Sequence, residues 1–163
     1  MRLFRRKMSA SVGAVLVAVG ISGCGESPVE VVFEVIEEVE FAAALGIDLA
    51  AMEKLGTGVY RQDIVVGGGE PAVFGTTPTL TFTGWLRDGT QFDTGTFSFL
   101  MGNSAVVSGL EDGLVGTRVG GTRRIIIPPG RGYGAQDRLD LQGNVVIPGG
   151  SIMVFVVTVD AVN

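Results

Sequence analysis

An alternating segment at positions 79–93 restricts the possible folds of this chain more than any other part of it. Threonine occupies every second position from 79 to 83, and the apolar Leu80 and Phe82 stand between the threonines. This alternation predicts a strand with one polar and one apolar face. Asp88-Gly89 follows, and Asp-Gly between two such runs favours a tight hairpin turn. We therefore expect an antiparallel sheet with one face to bury.

The segments after this hairpin predict more short strands and little helix. They are a strand at Phe97–Met101, a short helix at Ser108–Val115, a β-branched strand at Gly120–Ile127 that ends before two prolines, and a final strand at Ser151–Asp160. Ser108 is expected to cap the helix, with Glu111 completing a capping box. The predicted fold class is α+β, an antiparallel sheet of about five to six strands wrapped over one short helix.

The composition excludes several kinds of active site. The chain has no histidine, which excludes His-based acid–base catalysis, His-containing triads and the commonest metal ligand. Its single cysteine can form neither an internal disulfide nor a Cys-rich zinc site. We therefore expect a chemistry that uses no metal, cofactor or redox centre.

The N-terminus has the features of an export signal. Basic residues come first, an apolar run follows at Met8–Ile21, and the run leads into Ile21-Ser-Gly-Cys24. The run is shorter than the roughly 20 residues that span a bilayer. The ending resembles the bacterial lipobox, which implies cleavage of a signal peptide at 1–23 and acylation of Cys24. An ordinary secretory signal with an incidental cysteine is the alternative.

Acylation would fix the location of the mature protein. Two or more acyl chains anchor a protein stably, so we expect attachment to the cell envelope. Gly25 follows the cysteine where an inner-membrane retention signal carries aspartate, which favours the periplasmic face of the outer membrane. Loss of residues 1–23 removes four cations and no acids, so the net charge changes from -5 to about -9. This charge argues against nucleic acid as a partner.

Residues 24–56 are predicted to form an acidic tether and lead-in before a domain at 57–163. Glutamates alternate with valine and isoleucine between positions 26 and 40, which favours a solvated spacer, with a partner-binding amphipathic segment as the alternative. Phe41–Leu55 has apolar residues at roughly helical spacing, interrupted by Gly46. The run at 67–69 predicts a turn, because no Lys-Ser/Thr of a phosphate loop follows its three glycines.

Several motifs follow the hairpin in order along the chain. They are Phe97-Ser-Phe-Leu-Met-Gly102, Val106-Val-Ser-Gly-Leu-Glu-Asp-Gly113, Ile127-Pro-Pro-Gly-Arg-Gly-Tyr-Gly134 and Val146-Ile-Pro148. Together with Phe92-Asp93 and Phe155, they resemble FKBP-type peptidyl-prolyl cis-trans isomerases over about Thr57 to Asn163. The resemblance implies an FKBP-like fold and rotation of X–Pro bonds in unfolded or exported polypeptides.

The resemblance also implies a set of site residues. Asp93, Tyr133 and Phe92 take the catalytic positions. The substrate-binding positions are Phe82, Phe97, Val106, Val107, Leu110, Val146, Ile147 and Phe155. The Tyr133 hydroxyl and the Ile147 N–H would donate to substrate carbonyls, and Asp93 would lie close to the twisting amide. Two positions depart from the family, since Leu110 replaces the tryptophan of the pocket floor and Phe82 stands where tyrosine is frequent. Trp85 aligns with no pocket position and is interpreted as a surface or rim residue.

These residue types suit the implied reaction. An X–Pro bond resists rotation by roughly 18–20 kcal/mol because amide resonance keeps it planar. A dry aromatic pocket stabilises the twisted amide, which is less polar, without proton transfer. Two other hypotheses stay open. One is a non-catalytic chaperone module that binds proline-containing segments through the same pocket, and the other is a structural lipoprotein with an inactive domain.

Overall fold

A computed structural model describes residues 31–163 of the chain, so the predicted signal peptide and Cys24 lie outside it. The strands are β1 (Glu53–Lys54), β2 (Tyr60–Val65), β3 (Pro78–Leu86), β4 (Gln91–Ser98), β5 (Thr122–Ile127), β6 (Arg138–Leu139), β7 (Val145–Ile147) and β8 (Met153–Val162). Six of them form one sheet in the order β1-β2-β5-β8-β3-β4, and β6 pairs with β7 in a separate ribbon. All paired neighbours are antiparallel.

One helix, α1 (Ser108–Leu114), packs across the concave side of this sheet. Its two inward glycines allow the close approach, because a Cβ at Gly109 or Gly113 would overlap Ile127 or Ile125 of β5. The core between helix and sheet includes Leu114, which is fully buried. The predicted fold class is therefore confirmed. No helix within residues 31–163 has the length and apolar character needed to cross a membrane.

Two local predictions around the helix are wrong. The stretch Phe97–Met101 is not a separate strand, because β4 continues to Ser98 and pairs with β3 along its whole length. The capping box is also absent. Val107 occupies the N-cap position without a side-chain cap, and the buried Glu111 carboxylate instead accepts the Gly102 N–H at 2.9 Å. The Glu111 carboxylate thus holds the loop before the helix rather than the helix terminus.

The acidic segment ahead of β2 packs on the other face of the sheet, so the spacer interpretation is wrong for residues 31–40. Ile36 is buried in a second apolar cluster with Tyr60 and Ile126. The Glu34 carboxylate accepts the backbone N–H of Ile152 at 2.8 Å and pairs with Arg87. Of the apolar residues in this alternating segment, Ile36 and Val39 pack on the sheet, whereas Val32, Phe33 and Val35 are exposed.

The roughly helical spacing of apolar residues at Phe41–Leu55 does not produce an α-helix. These residues form two short 3-10 turns, Ala43–Leu45 and Leu49–Ala51, and then β1. Gly46 ends the first turn with a φ of 57°, a conformation that other residues rarely adopt. The apolar residues at helical spacing are instead those that cover the sheet, including Leu45, Ile47 and Leu49.

Low pH is expected to weaken this N-terminal packing through Glu37. Hydrogen bonds from Lys54 and then from the Tyr60 hydroxyl lower the pKa of Glu37 from 4.5 to about 2. Because the folded-state pKa lies below the unfolded value, the stabilisation is present above about pH 4.5 and is lost as the pH falls towards 2. The Glu37 side chain is 43% exposed, so we expect less than about 1 kcal/mol.

The measurement is the melting temperature of the wild type and of Glu37→Gln at several pH values. The difference between them should be largest near neutral pH and should disappear at the acid end. Glu38→Gln is the matched control, because Glu38 makes no side-chain hydrogen bond within residues 31–163. A difference that grows as the pH falls would contradict the assignment.

Candidate functional site

A cleft lies between the open edge of the sheet, the N-terminus of α1 and the loop before β8. It consists of two adjoining cavities of about 690 and 380 Å³ that share six lining residues, Phe92, Asp93, Ala105, Val106, Val107 and Tyr133. Val146 and Ile147 line the larger cavity, and Phe82, Phe97, Leu110 and Phe155 line the smaller one. The structure thus brings all eleven residues of the predicted cleft together. Cys24, the predicted lipidation site, lies outside the described residues.

A β-bulge turns two consecutive residues towards the cleft. Along β3 and β4, Gly84 pairs with Asp93 and Trp85 pairs with Gln91, so Phe92 is an extra residue in β4. Side chains normally alternate across a strand, and a bulge interrupts that alternation. Both Phe92 and Asp93 therefore line the same cavities.

The Phe92 ring lies over Gly84, where the absence of a side chain leaves room for it. A Cβ at Gly84 would lie 2.6 Å from Cζ of Phe92 and 3.1 Å from Cε1 of Phe155. The Phe92 and Phe155 rings themselves meet edge to face, with centroids 5.5 Å apart. The absence of a side chain at Gly84 therefore determines the position of the Phe92 ring, which forms one wall of the cleft.

The floor of the smaller cavity is aromatic and aliphatic. Phe82 and Phe97 meet edge to face at 5.2 Å, and Phe82 is 6.2 Å from Phe155. Leu110 closes the floor from the helix side and is 4% exposed. Trp85 is not among the lining residues and lies at a different cavity with Leu45 and Arg124. Such a concave apolar surface suits a small aliphatic ring.

Tyr133 stands at the rim on a loop that hydrogen bonds hold in place. The loop follows a 3-10 turn at Pro129–Arg131, and Gly134 N–H donates to the Pro129 carbonyl at 2.9 Å. Gly150 N–H then donates to the Gly134 carbonyl at 2.7 Å, which ties the loop to the start of β8. The Tyr133 ring therefore has a defined position beside Asp93 and Val107.

Asp93 lies at the exposed end of the same wall. Its carboxylate accepts the Thr94 N–H at 2.8 Å, which orients one oxygen and leaves the other without a protein donor among residues 31–163. The Thr94 N–H therefore holds one oxygen of the carboxylate, and the other oxygen is open towards the cleft. This is the position that a group close to a bound amide would need.

Two features of the site were missed by sequence reasoning. Val107 is the N-cap residue of α1, and its backbone N–H has no acceptor within the described chain. The first N–H groups of a helix lack internal partners, so Val107 is a donor candidate beside Ile147. The second feature is Arg138, whose guanidinium carbon lies 4.1 Å from the centroid of the Tyr133 ring. The first could have been foreseen from the helix start, and the second could not.

Among residues 31–163, no group of three or more histidine, cysteine, aspartate or glutamate side chains is placed to hold a metal ion.

The sequence of this chain matches one known protein family. Residues 68–160 match the family described as FKBP-type peptidyl-prolyl cis-trans isomerase, which covers more than half of the chain. The chain belongs to this family. The family belongs to the enzyme class EC 5.2.1.8, the peptidyl-prolyl cis-trans isomerases. The matched range includes every residue of the cleft.

Relatives of this FKBP-type chain include proteins of bacteria and eukaryotes. The FK506-binding protein of Neisseria meningitidis serogroup B is 36% identical over 83 residues, which cover 48% of this chain and 76% of that protein. FK506-binding protein 3 of Candida albicans is 40% identical over 83 residues, covering 48% of this chain and 20% of that protein. Human FKBP9 is 40% identical over 79 residues, covering 45% of this chain and 13% of that protein. The chain thus spans only about a fifth or less of the two eukaryotic relatives.

Solved FKBP-type structures share the fold. FkpA from Escherichia coli superposes with a TM-score of 0.60 at 29% identity, covering 69% of this chain and 52% of that one. AtFKBP13 superposes with a TM-score of 0.62 at 26% identity, covering 68% of this chain and 97% of that one.

Proposed function

We propose that this FKBP-type protein is a peptidyl-prolyl cis-trans isomerase that rotates X–Pro bonds in unfolded or exported polypeptides. One observation carries the proposal. The β4 bulge sets the Phe92 ring and the Asp93 carboxylate on the same side of the strand, above a floor that includes Leu110 and Phe155. A proline ring fits such a floor, and its preceding amide would then lie next to a fixed carboxylate.

The cleft would lower the barrier by binding the twisted amide better than the planar one. Resonance holds the planar amide and contributes a barrier of roughly 18–20 kcal/mol. Twisting removes resonance and reduces the carbonyl dipole. An apolar floor of Phe97, Leu110 and Phe155 therefore destabilises the twisted amide less than it destabilises the planar amide. Each 1.4 kcal/mol of this preference corresponds to about tenfold in rate.

Hydrogen-bond donors at the rim would hold the substrate backbone while the bond rotates. Tyr133 supplies a hydroxyl, and the N–H groups of Val107 and Ile147 are the backbone candidates. Two or three fixed contacts outside the ring position the chain so that rotation occurs within the apolar part of the cleft. Asp93 would face the twisting amide, whose nitrogen becomes more basic as resonance is lost.

The direct test is exchange NMR on a short X–Pro peptide with the purified domain. We expect catalysed exchange with the wild type, a loss of about tenfold to 100-fold in kcat/KM with Phe92→Ala, and a smaller loss of about threefold to tenfold with Tyr133→Phe. Phe92→Ala removes one wall and is expected to act mainly on kcat. Tyr133→Phe removes one hydroxyl and keeps the ring.

Trp85→Phe serves as the control, because Trp85 is aromatic, lies on the same hairpin and lines a different cavity. It should leave the rate unchanged. Uncatalysed exchange with the wild type would refute the enzymatic proposal. If the peptide still shifted the resonances of cleft residues, the binding module would be the function that is left.

A specific observation favours that second candidate beside catalysis. The β6–β7 ribbon contributes Arg138, Val146 and Ile147 to the cleft, and it also carries apolar side chains that face solvent. Leu139 is 58% exposed and Leu141 is 100% exposed. Exposed apolar groups at the edge of a cleft are suited to holding unfolded segments. Binding of proline-containing segments would then precede or accompany rotation.

We propose further that the protein is exported and held at the cell envelope by acyl groups on Cys24, at the periplasmic face of the outer membrane. The basic, apolar and small residues before Cys24 support this location. Intact mass of the purified protein should exceed that of chain 24–163 by the mass of the acyl groups. In Cys24→Ser the mass of the acyl groups should be absent whether or not residues 1–23 are cleaved, and an unmodified wild-type mass would overturn the lipoprotein proposal.

A further inference from the structure

Arg138 is a cation at the cleft that the proposed reaction does not use. It lies in β6, pairs with Ile147 of β7, and lines the larger cavity with Tyr133. Its guanidinium stacks on the Tyr133 ring, with 4.1 Å between the guanidinium carbon and the ring centroid. A guanidinium over an aromatic face is held by cation–π attraction and keeps its N–H edges for other partners.

The neighbouring carboxylates do not neutralise Arg138. Asp137 accepts the Gly149 N–H at 2.6 Å, and Asp140 accepts the backbone N–H groups of Gln142 and Asn144. Within residues 31–163, the Arg138 guanidinium makes no ion pair and no hydrogen bond. Asp137 and Asp140 bind backbone N–H groups of the ribbon and its neighbouring loop. Arg138, the one cation among residues 31–163 that lines the cavity with Tyr133, therefore keeps its charge for a ligand.

We propose that Arg138 binds a carboxylate of the substrate, an aspartate or glutamate side chain next to the isomerising proline. This inference rests on the proposed function and adds a substrate preference to it. A planar guanidinium binds a carboxylate through two parallel N–H···O bonds, which gives direction as well as charge attraction. Arg138 is held beside Tyr133, so the carboxylate would be bound where Tyr133 meets the substrate backbone.

The charge of the rest of the protein makes this preference selective. The chain carries -5 formally, so acidic peptides are repelled by the molecule as a whole and attracted only at a local cation. A preference for acidic substrates would therefore depend on Arg138 and not on the general field. A substrate preference that depends on Arg138 can therefore be distinguished from a nonspecific effect of the net charge.

The test compares peptides that have Glu, Gln or Lys immediately before or after the proline. We expect kcat/KM to be about threefold to tenfold higher for Glu than for Gln at one of the two positions, with Lys lowest. Arg138→Gln should abolish the difference between Glu and Gln, and Arg138→Lys should keep part of it. Raising the salt concentration from about 50 mM to about 500 mM should reduce the difference in the wild type.

Arg118→Gln is the matched control, with the same change of charge at an arginine that lines neither cavity and donates to the Gly69 carbonyl. It should leave the preference intact. Equal rates for Glu and Gln at both positions, or a preference that survives Arg138→Gln, would overturn the proposal. Chemical-shift titration with the same peptides measures the preference for Glu in binding, even without catalysis. Failure of the isomerase proposal is therefore distinguishable from failure of the Arg138 proposal.

Discussion

Gly84→Ala is expected to reduce kcat/KM for an X–Pro peptide by about tenfold to 100-fold while the domain stays folded. The added Cβ would lie 2.6 Å from Cζ of Phe92 and 2.7 Å from its Cε2. The Phe92 ring would have to move. Cε1 of Phe155 lies only 3.1 Å from the added Cβ, so there is no free space on that side. Because Phe92 is the bulge residue that forms a wall of the cleft, its displacement changes the pocket shape directly.

Gly68→Ala is the control for this substitution. A Cβ at Gly68 would meet no atom within 4 Å, and Gly68 lines neither cavity of the cleft. Both variants should be assayed by exchange NMR, with folding checked by the melting temperature. A Gly84→Ala protein with wild-type kcat/KM would show that the position of Phe92 does not matter for the reaction.

Arg123→Met is expected to reduce the free energy of unfolding by about 2–4 kcal/mol. Arg123 is 6% exposed and pairs with Asp63 through two bonds, at 2.6 and 3.1 Å. Its Nη1 also donates to the carbonyls of Gly113 and Val115 at the end of α1, at 2.9 and 3.0 Å. Methionine fills the volume but leaves the Gly113 carbonyl without its side-chain donor, since the last carbonyls of a helix have no partner inside it. The Val115 carbonyl keeps a bond from Nη1 of Arg61 at 3.1 Å.

Urea denaturation measures the loss, and two further variants separate its causes. Asp63→Asn removes the charge partner but keeps both carbonyl bonds, so we expect it to lose less than half as much. Arg118→Met at an exposed arginine should change the free energy of unfolding by no more than about 0.5 kcal/mol. Equal losses in Asp63→Asn and Arg123→Met would assign the whole effect to the ion pair and contradict the capping role.

Local patterns were enough to predict the hairpin, the last strands and helix α1. Alternation from Thr79 to Phe82 and the Asp88-Gly89 turn depend on neighbouring residues, and β3 and β4 form as these predict. The same local rules failed where tertiary contacts compete with them. Glu111 fits a capping box by spacing, yet it turns to the Gly102 N–H because that donor lies within reach in the folded chain.

The N-terminal segment shows the same limit on a larger scale. Its acids and apolar residues alternate, and this pattern fits both a solvated spacer and a segment that covers a sheet. Burial of Ile36 beside Tyr60 depends on a sheet face that only the folded domain creates. For the cleft, the family resemblance placed eleven residues together, and the structure shows them around the two cavities. It gave no sign of the stacking of Arg138 on Tyr133.

The sequence by itself determined which residues are available to the cleft and which chemistry is excluded. Chain order, residue type and the absence of histidine are properties of the sequence, and they point to an aromatic pocket without a His-based mechanism. Only the tertiary structure decided how the pocket is shaped. Phe92 and Asp93 should face opposite sides of a regular strand, and they share one side because β4 has a bulge at this point of its pairing with β3. The Phe92 ring packs there against Phe155 of β8, which is distant in the chain, so no local pattern could reveal how this wall is built.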